Sequence, residues 1–169
     1  MIGREEEKMR KVFVKKPKEM NVRNATLEDA ATIVDFQVKM ALETEELSLD
    51  LDVVTQGVTA VFSDPSKGRY YVAEEEGVVV ASLMITYEWS DWRNGLVWWI
   101  QSVYVTPGYR RRGAFTQLYQ HIKKQVEASA DVRGIRLYVD KRNVSAQNVY
   151  TRMGMTGSHY ATFEWMRTF

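Results

Sequence analysis

The stretch "VYVTPGYRRRGAFTQLY", residues 103–119, limits what this chain can fold into more than any other part of it. Its first residues alternate as a strand does. From Gly113 onward Phe115, Leu118, Tyr119, Ile122 and Val126 recur at helical spacing. A strand must therefore hand over to a helix through Thr-Pro-Gly, a tyrosine and three consecutive arginines. A helix start presents backbone N–H groups without intrahelical acceptors, together with the positive end of the macrodipole. Phosphate oxygens satisfy those donors, a glycine lets a ligand approach the backbone, and successive turn amides can form an anion-binding nest. The turn suits a phosphate or pyrophosphate; an exposed basic turn before an ordinary helix is the plainer alternative, and the residues alone leave both open.

The neighbouring segments set the context. Residues 22–25 read as a short strand, after which Thr26 caps a helix, with Asp29 three residues on as its capping-box partner. Leu27, Ala30, Ile33, Val34, Val38 and Ala41 carry that helix to the acidic run Glu43-Thr-Glu-Glu. A second helix runs from about Asp50 to the Asp64-Pro65-Ser66 breaker. Strands are expected over 69–73, 78–88 and 96–105, the last entered through Asn94-Gly95. Ile135, Leu137 and Val139 alternate as a strand, a short helix spans about 144–153 before Gly154, and 160–166 reads as a final strand. The order is β-α-α-β-β-β-α-β-α-β, without repeats and without a second domain.

Composition narrows the chemistry. The 169 residues suit one domain, and 45% hydrophobic with 27% charged residues is ordinary for a globular protein. There is no cysteine, which excludes disulfides, thiolate metal sites and a cysteinyl intermediate, and two histidines do not make a multi-histidine metal site. No apolar run reaches the ~18–20 residues a membrane span needs, and the N-terminus lacks the apolar core of a secretory signal, so a cytoplasmic setting is expected. Residues 1–20 carry a net +3 against −2 for the rest. Such a mixed-sign run is expected to be a solvated, flexible extension, with residues 21–169 forming the domain and offering no basic excess for nucleic acid.

"VTPGYRRRGAF" resembles the acyl-CoA-binding motif of the GCN5-related N-acetyltransferase (GNAT) superfamily, Gln/Arg-x-x-Gly-x-Gly/Ala, with Arg110 and Gly113 in the first two positions and Phe115 departing from the third. "NVSAQNVYTRMGM", residues 143–155, resembles the family's Asn-x-x-Ala-x-x-x-Tyr-x-x-x-Gly-Phe segment, with Met155 for Phe. The resemblance covers about residues 21–166. It implies an α+β fold with a mixed, mostly antiparallel central sheet flanked by helices. The implied activity is acetyl transfer from acetyl-CoA, without a metal, to an amine-bearing acceptor. It also implies that the fourth and fifth strands splay and that the pantetheine arm enters between them, bonding near Val103, Tyr104 and Val105. The pyrophosphate would sit on Arg110, Arg111, Arg112, Gly113, Ala114 and Phe115, and Asn143 would orient the cofactor unless it only caps its helix. Homodimers occur among similar proteins; the residues leave the oligomeric state open.

By the same resemblance Tyr150 would protonate, or donate a hydrogen bond to, the departing thiolate; without it, Tyr150 reads as filler of an apolar helix face. Relatives often carry a basic carboxylate on the fourth strand, where this chain has Gln101 and Ser102. Gln101 is not a base near neutral pH, so a water chain or a carboxylate from elsewhere would take the proton. Glu88 is the candidate, together with Glu43, Glu45, Glu46 and Asp91. Trp89 and Trp99 lie among these carboxylates in sequence, and carboxylates beside aromatic faces suit a cationic amine. Glu43, Glu45, Trp89, Asp91 and Trp99 are therefore expected at the acceptor, as a pocket or in part simply as core.

Overall fold

A computed structural model describes residues 19–167. Five strands form one sheet in chain order: β1 Asn21–Asn24, β2 Arg69–Glu75, β3 Val78–Ser90, β4 Gly95–Val105 and β5 Val132–Leu137. The first four pair antiparallel, and β5 lies parallel to β4. Helices α1 Ala30–Glu45 and α2 Leu51–Ser63 join β1 to β2, α3 Ala114–Ala128 joins β4 to β5, and α4 Val144–Arg152 follows β5. A parallel neighbour cannot be reached by a hairpin, so the helical stretch after Gly113 must cross over the sheet.

The period-two pattern of the strands divides the core into two halves. Tyr71, Ala81, Leu83, Ile85 and Ile100 face α3, which buries Leu118 and Ile122 against them. Tyr70 and Val72 point the other way, onto Ile33 and Val34 of α1 and Val58 of α2. Each fully buried Leu or Ile stabilises the fold by about 2–3 kcal/mol. Helix ends fall where capping chemistry puts them: the Asp50 carboxylate accepts from the amides of Asp52 and Val53 at 2.9 and 3.0 Å. Gly68, at φ 147°, lies where an added Cβ would come within 2.6 Å of the Ile85 carbonyl, so the chain leaving α2 can pass β3 closely only as glycine.

At the β1 edge Arg23 holds Asp29 at 2.7 Å and also Glu74, while Asp29 accepts from the Thr26 amide at 2.7 Å as expected of a capping box. The Arg23 guanidinium keeps the carboxyl groups of Asp29 and Glu74 below their ordinary values. For a depressed carboxylate the stabilisation is full above the unfolded value of about 4 and is lost as pH falls through the folded value. Asp29→Asn is expected to cost about 2 kcal/mol at neutral pH, with the difference from wild type shrinking below about pH 4. Thermal melts of the two proteins from pH 7 downward would check it; an equal gap at all pH values would refute the assignment.

Two expectations differ from the structure. Residues 160–166 form no strand, and Phe163 and Trp165 are 95% and 85% exposed. Their alternation is real, but a strand needs a neighbour to bond, and among the described residues the segment pairs with none. Of the expected extension over 1–20, residues 1–18 lie outside the described residues. Met20, however, is buried in the core and its amide donates to Gln117 Oε1 at 2.8 Å, so the folded body includes it.

Candidate active site

β4 and β5 part company at the centre of the sheet. Their pairing ends at Ile100–Leu137, and β4 continues through Val105 beside β3 but without β5. At the same level β4 carries an extra residue against β3: Ser82 faces Tyr104, whereas Met84 already faces Gln101. Ser102 takes a left-handed φ of 51° there. This is a bulge, which bends the strand and drives the two edges apart. The β4 edge beyond Ile100, including Val103 and Val105, therefore opens onto a gap, while the Tyr104 side chain turns to the α1 side, where its ring lies 5.0 Å from Phe36.

β4 leads directly into the arginine turn. A short 3-10 turn over Pro107–Tyr109 is followed by Arg111 at φ 61° and Gly113 at φ 87°, after which α3 begins. Among the described residues no backbone carbonyl accepts from the amides of residues 111–116; the first regular bond of the helix is Gln117 N–H to Gly113. Two left-handed residues this close together are the setting in which successive turn amides can form an anion-binding nest. The three arginines take different roles there. Arg110 turns back to Glu43 at 2.5 Å and donates Nε–H to the Val105 carbonyl at 2.9 Å. Arg112 grips Glu75 at 2.7 Å and lies 4.5 Å over the Tyr109 ring. Arg111 makes no hydrogen bond or ion pair with any described residue. Two arginines thus fix the loop's shape, and one stays available to an anion.

Asn143 caps α4, accepting from the Ala146 amide at 3.0 Å. That helix brings the Tyr150 ring edge-on to Phe115, 5.5 Å between centroids and 65° between planes, so the phenol stands beside the first turn of α3. Burial pushes the Tyr150 phenol up from its ordinary value of 10. Phe115, the position at which the motif departs from its consensus, thus serves as Tyr150's packing partner.

The sheet face on the α1 side, below the bulge, is open and carries a polar cluster. Glu88 on β3 accepts from Trp99 Nε1 on β4 and from Arg136 Nη1 on β5 at 2.6 Å. Arg136 lies 5.9 Å over the Trp99 ring, and Tyr138 packs 5.8 Å from it. Gln101 donates to Thr86 Oγ1 and lies 3.5 Å from the Tyr138 hydroxyl. Glu88, Trp99 and Gln101 are therefore brought together; Trp89 and Asp91 sit at the far end of the β3–β4 hairpin and are exposed. Glu43 is not free: its carboxylate also accepts from the Tyr104 hydroxyl at 2.9 Å, and the Arg110 guanidinium holds its pKa below the ordinary value. Glu45 and Glu46 are exposed at the end of α1. Sequence reasoning missed Arg136 and Tyr138, although alternation with Ile135 and Leu137 already put Arg136 on the face opposite the core.

Comparison with known proteins agrees with this geometry. A family model described as the acetyltransferase (GNAT) family matches residues 33–155. No curated protein matches the chain. Among solved structures, a possible acetyltransferase from Clostridium difficile 630 is 43% identical over 89% of this chain and 99% of that one, with a TM-score of 0.81. A predicted acetyltransferase with acetyl-CoA from Clostridium acetobutylicum is 20% identical over 89% and 96%, TM-score 0.66. A GCN5-related N-acetyltransferase from Ralstonia eutropha JMP134 is 20% identical over 87% and 99%, TM-score 0.71. The last two speak to the shared fold alone.

Proposed function

This chain belongs to the acetyltransferase (GNAT) family, and on that premise we propose that it moves an acetyl group from acetyl-CoA to a primary amine of a small-molecule acceptor by direct transfer in a ternary complex. The observation that carries the proposal is the cradle at the start of α3: amides over 111–116 and an Arg111 that find no partner among the described residues, with two left-handed residues, beside the β4 edge that β5 leaves open. A diphosphate would rest on those amides, and the pantetheine arm would run along residues 103–105 as an added strand. Its thioester would then end at the bulge, between Gln101 and the phenol of Tyr150. The chain has no cysteine to carry the acyl group, so direct attack by the amine is the simpler route. Holding amine and thioester together in the gap would supply much of the acceleration.

No carboxylate of β4 faces the splay, and Glu88 is already bonded to Arg136 and Trp99. The amine's proton would therefore leave through water ordered by Gln101 and Thr86, with Glu88 serving to attract the cation. The Glu88→Gln variant is expected to raise the acceptor KM about two- to fivefold and to leave the KM for acetyl-CoA unchanged. Unchanged acceptor kinetics would remove this carboxylate from the acceptor side.

The same lack of a free base supports a second reading, in which the protein binds acyl-CoA as a sensor or a partner-regulated subunit without turnover. Calorimetry with acetyl-CoA, followed by thiol detection against a panel of amines, tests both. Heat with amine-dependent CoA release supports the transferase, heat without release supports the sensor, and no heat refutes both.

A further inference from the structure

Arg136, on the open face below the bulge, is fixed in position while most of its donors meet no acceptor among the described residues. Each Glu88 oxygen takes a different donor: Oε2 accepts from Trp99 Nε1, and Oε1 from Arg136 Nη1 at 2.6 Å. Glu88 and Arg136 are therefore joined by one bond, not by the two-pronged contact that arginine and a carboxylate otherwise form. A guanidinium carries five N–H donors, and Glu88 is the acceptor that meets Arg136 among the described residues. The rings of Trp99 and Tyr160 each lie 5.9 Å from the central carbon of that guanidinium. Rings cover the flat faces of such a group, whereas its donors point outward in the plane, where a planar carboxylate binds. The Arg136 side chain is 32% exposed, so an incoming group can reach it.

The strand register places this guanidinium at a measurable distance from the bulge. Arg136 is level with Trp99, and Gln101 and Ser102 lie two and three residues farther along β4. At about 3.3 Å per residue the separation is about 7–10 Å. Tyr138 fills part of it: its ring lies 5.8 Å from that of Trp99, and its hydroxyl lies 3.5 Å from Gln101 Oε1. The floor between the guanidinium and the bulge is thus aromatic, a surface that suits a chain of methylenes. An extended chain advances about 3.5 Å for every three bonds, so about six bonds cover the shorter of these spans.

We propose that the acceptor is a primary amine that also bears a carboxylate about six bonds from the reacting nitrogen, and that Arg136 binds that carboxylate. The carboxylate takes the remaining in-plane donors of the guanidinium. The methylene chain lies across Trp99 and Tyr138, and the amine ends at the bulge beside Gln101. Glu88 holds Arg136 from one side and still presents its charge to the acceptor's cation. An amine of the same length without the carboxylate leaves the guanidinium with Glu88 alone, and the site selects against it by that missing contact. The carboxylate site deepens the transferase reading and rests on it.

The matched probes are 6-aminohexanoate and hexylamine, which share a chain and differ in the carboxylate. Wild type is expected to use 6-aminohexanoate with a kcat/KM at least about tenfold above that for hexylamine, the effect of one hydrogen bond to a charged group. The shorter 3-aminopropanoate should lose that advantage, because its chain does not span the gap. Arg136→Gln should bring the ratio close to one through KM, and Arg136→Lys should restore only part of it, since an ammonium lacks the planar fork. A second readout needs no turnover. The Arg136 Nε–H resonance, assigned by its loss in Arg136→Gln, should shift on titration with hexanoate and stay in place with hexylamine. A wild-type ratio near one, a ratio that survives Arg136→Gln, or a resonance that ignores hexanoate would each overturn the proposal. Absence of turnover with every amine would instead sink the transferase reading, and the resonance alone would then decide whether Arg136 binds a carboxylate.

Discussion

Replacing Tyr150 by phenylalanine is expected to lower kcat at least about tenfold while the affinity for acetyl-CoA stays within about twofold. Amine attack on the thioester gives a tetrahedral intermediate whose collapse expels a thiolate, and that developing charge needs a donor. Tyr150 is the hydroxyl-bearing side chain of α4 packed against the start of α3, through its ring contact with Phe115. Burial holds the phenol above its ordinary value of 10, so it is protonated through the neutral range. Complete proton transfer from such a phenol to a thiolate, whose own pKa is about 8.5, runs uphill by about 2 kcal/mol or more. The role expected of Tyr150 is therefore a hydrogen bond that strengthens as the sulfur gains charge, with a solvent proton arriving later. Phenylalanine keeps the ring contact and removes only that donor, which is why turnover should fall and binding should not. The ratio of wild-type to variant kcat should stay flat across neutral pH and shrink only in strongly alkaline solution, where the phenol ionises. Wild-type turnover in the variant would remove Tyr150 from the mechanism.

Local signals carried far in this sequence. Helical spacing after Gly113, the caps at Thr26 and Asn143, the helix start at about Asp50 and the alternation of the strands over 69–105 each reflect contacts within a few residues, and each matches the structure. The final strand does not, because a strand is a relation between two segments and 160–166 pairs with no strand among the described residues. The three arginines show the same boundary more sharply. They are consecutive and chemically identical, yet Arg110 pairs with Glu43, 67 positions away, Arg112 with Glu75, 37 positions away, and Arg111 with no described residue. Glu88 reads in sequence as a candidate base, and its bond to Arg136 spans 48 positions. Which charges are neutralised is set by tertiary register, and that information is spread over the whole chain.

Substituting Gly113 by valine is expected to weaken acetyl-CoA binding about 100-fold or more, an effect worth about 2.7 kcal/mol. Two costs add to reach it. Gly113 sits at φ 87°, a left-handed conformation that costs an ordinary L-residue about 1–2 kcal/mol and a β-branched one more. The branched side chain would also project where the diphosphate approaches, and losing one hydrogen bond to a charged group removes about 1.5–3 kcal/mol. Arg111→Ala provides the comparison. Its guanidinium is exposed and pairs with no described residue, so its loss should weaken binding only about three- to fivefold, and less at high salt. Arg112→Ala should behave differently again. It breaks the hold on Glu75 and the stacking on Tyr109, so its main effect should be on melting temperature. Calorimetry and thermal melts of the three variants separate backbone cradle, free charge and loop support. If Gly113→Val binds acetyl-CoA as wild type does, the diphosphate is not held by the amides that open α3, and the cofactor site must be sought elsewhere on the fold.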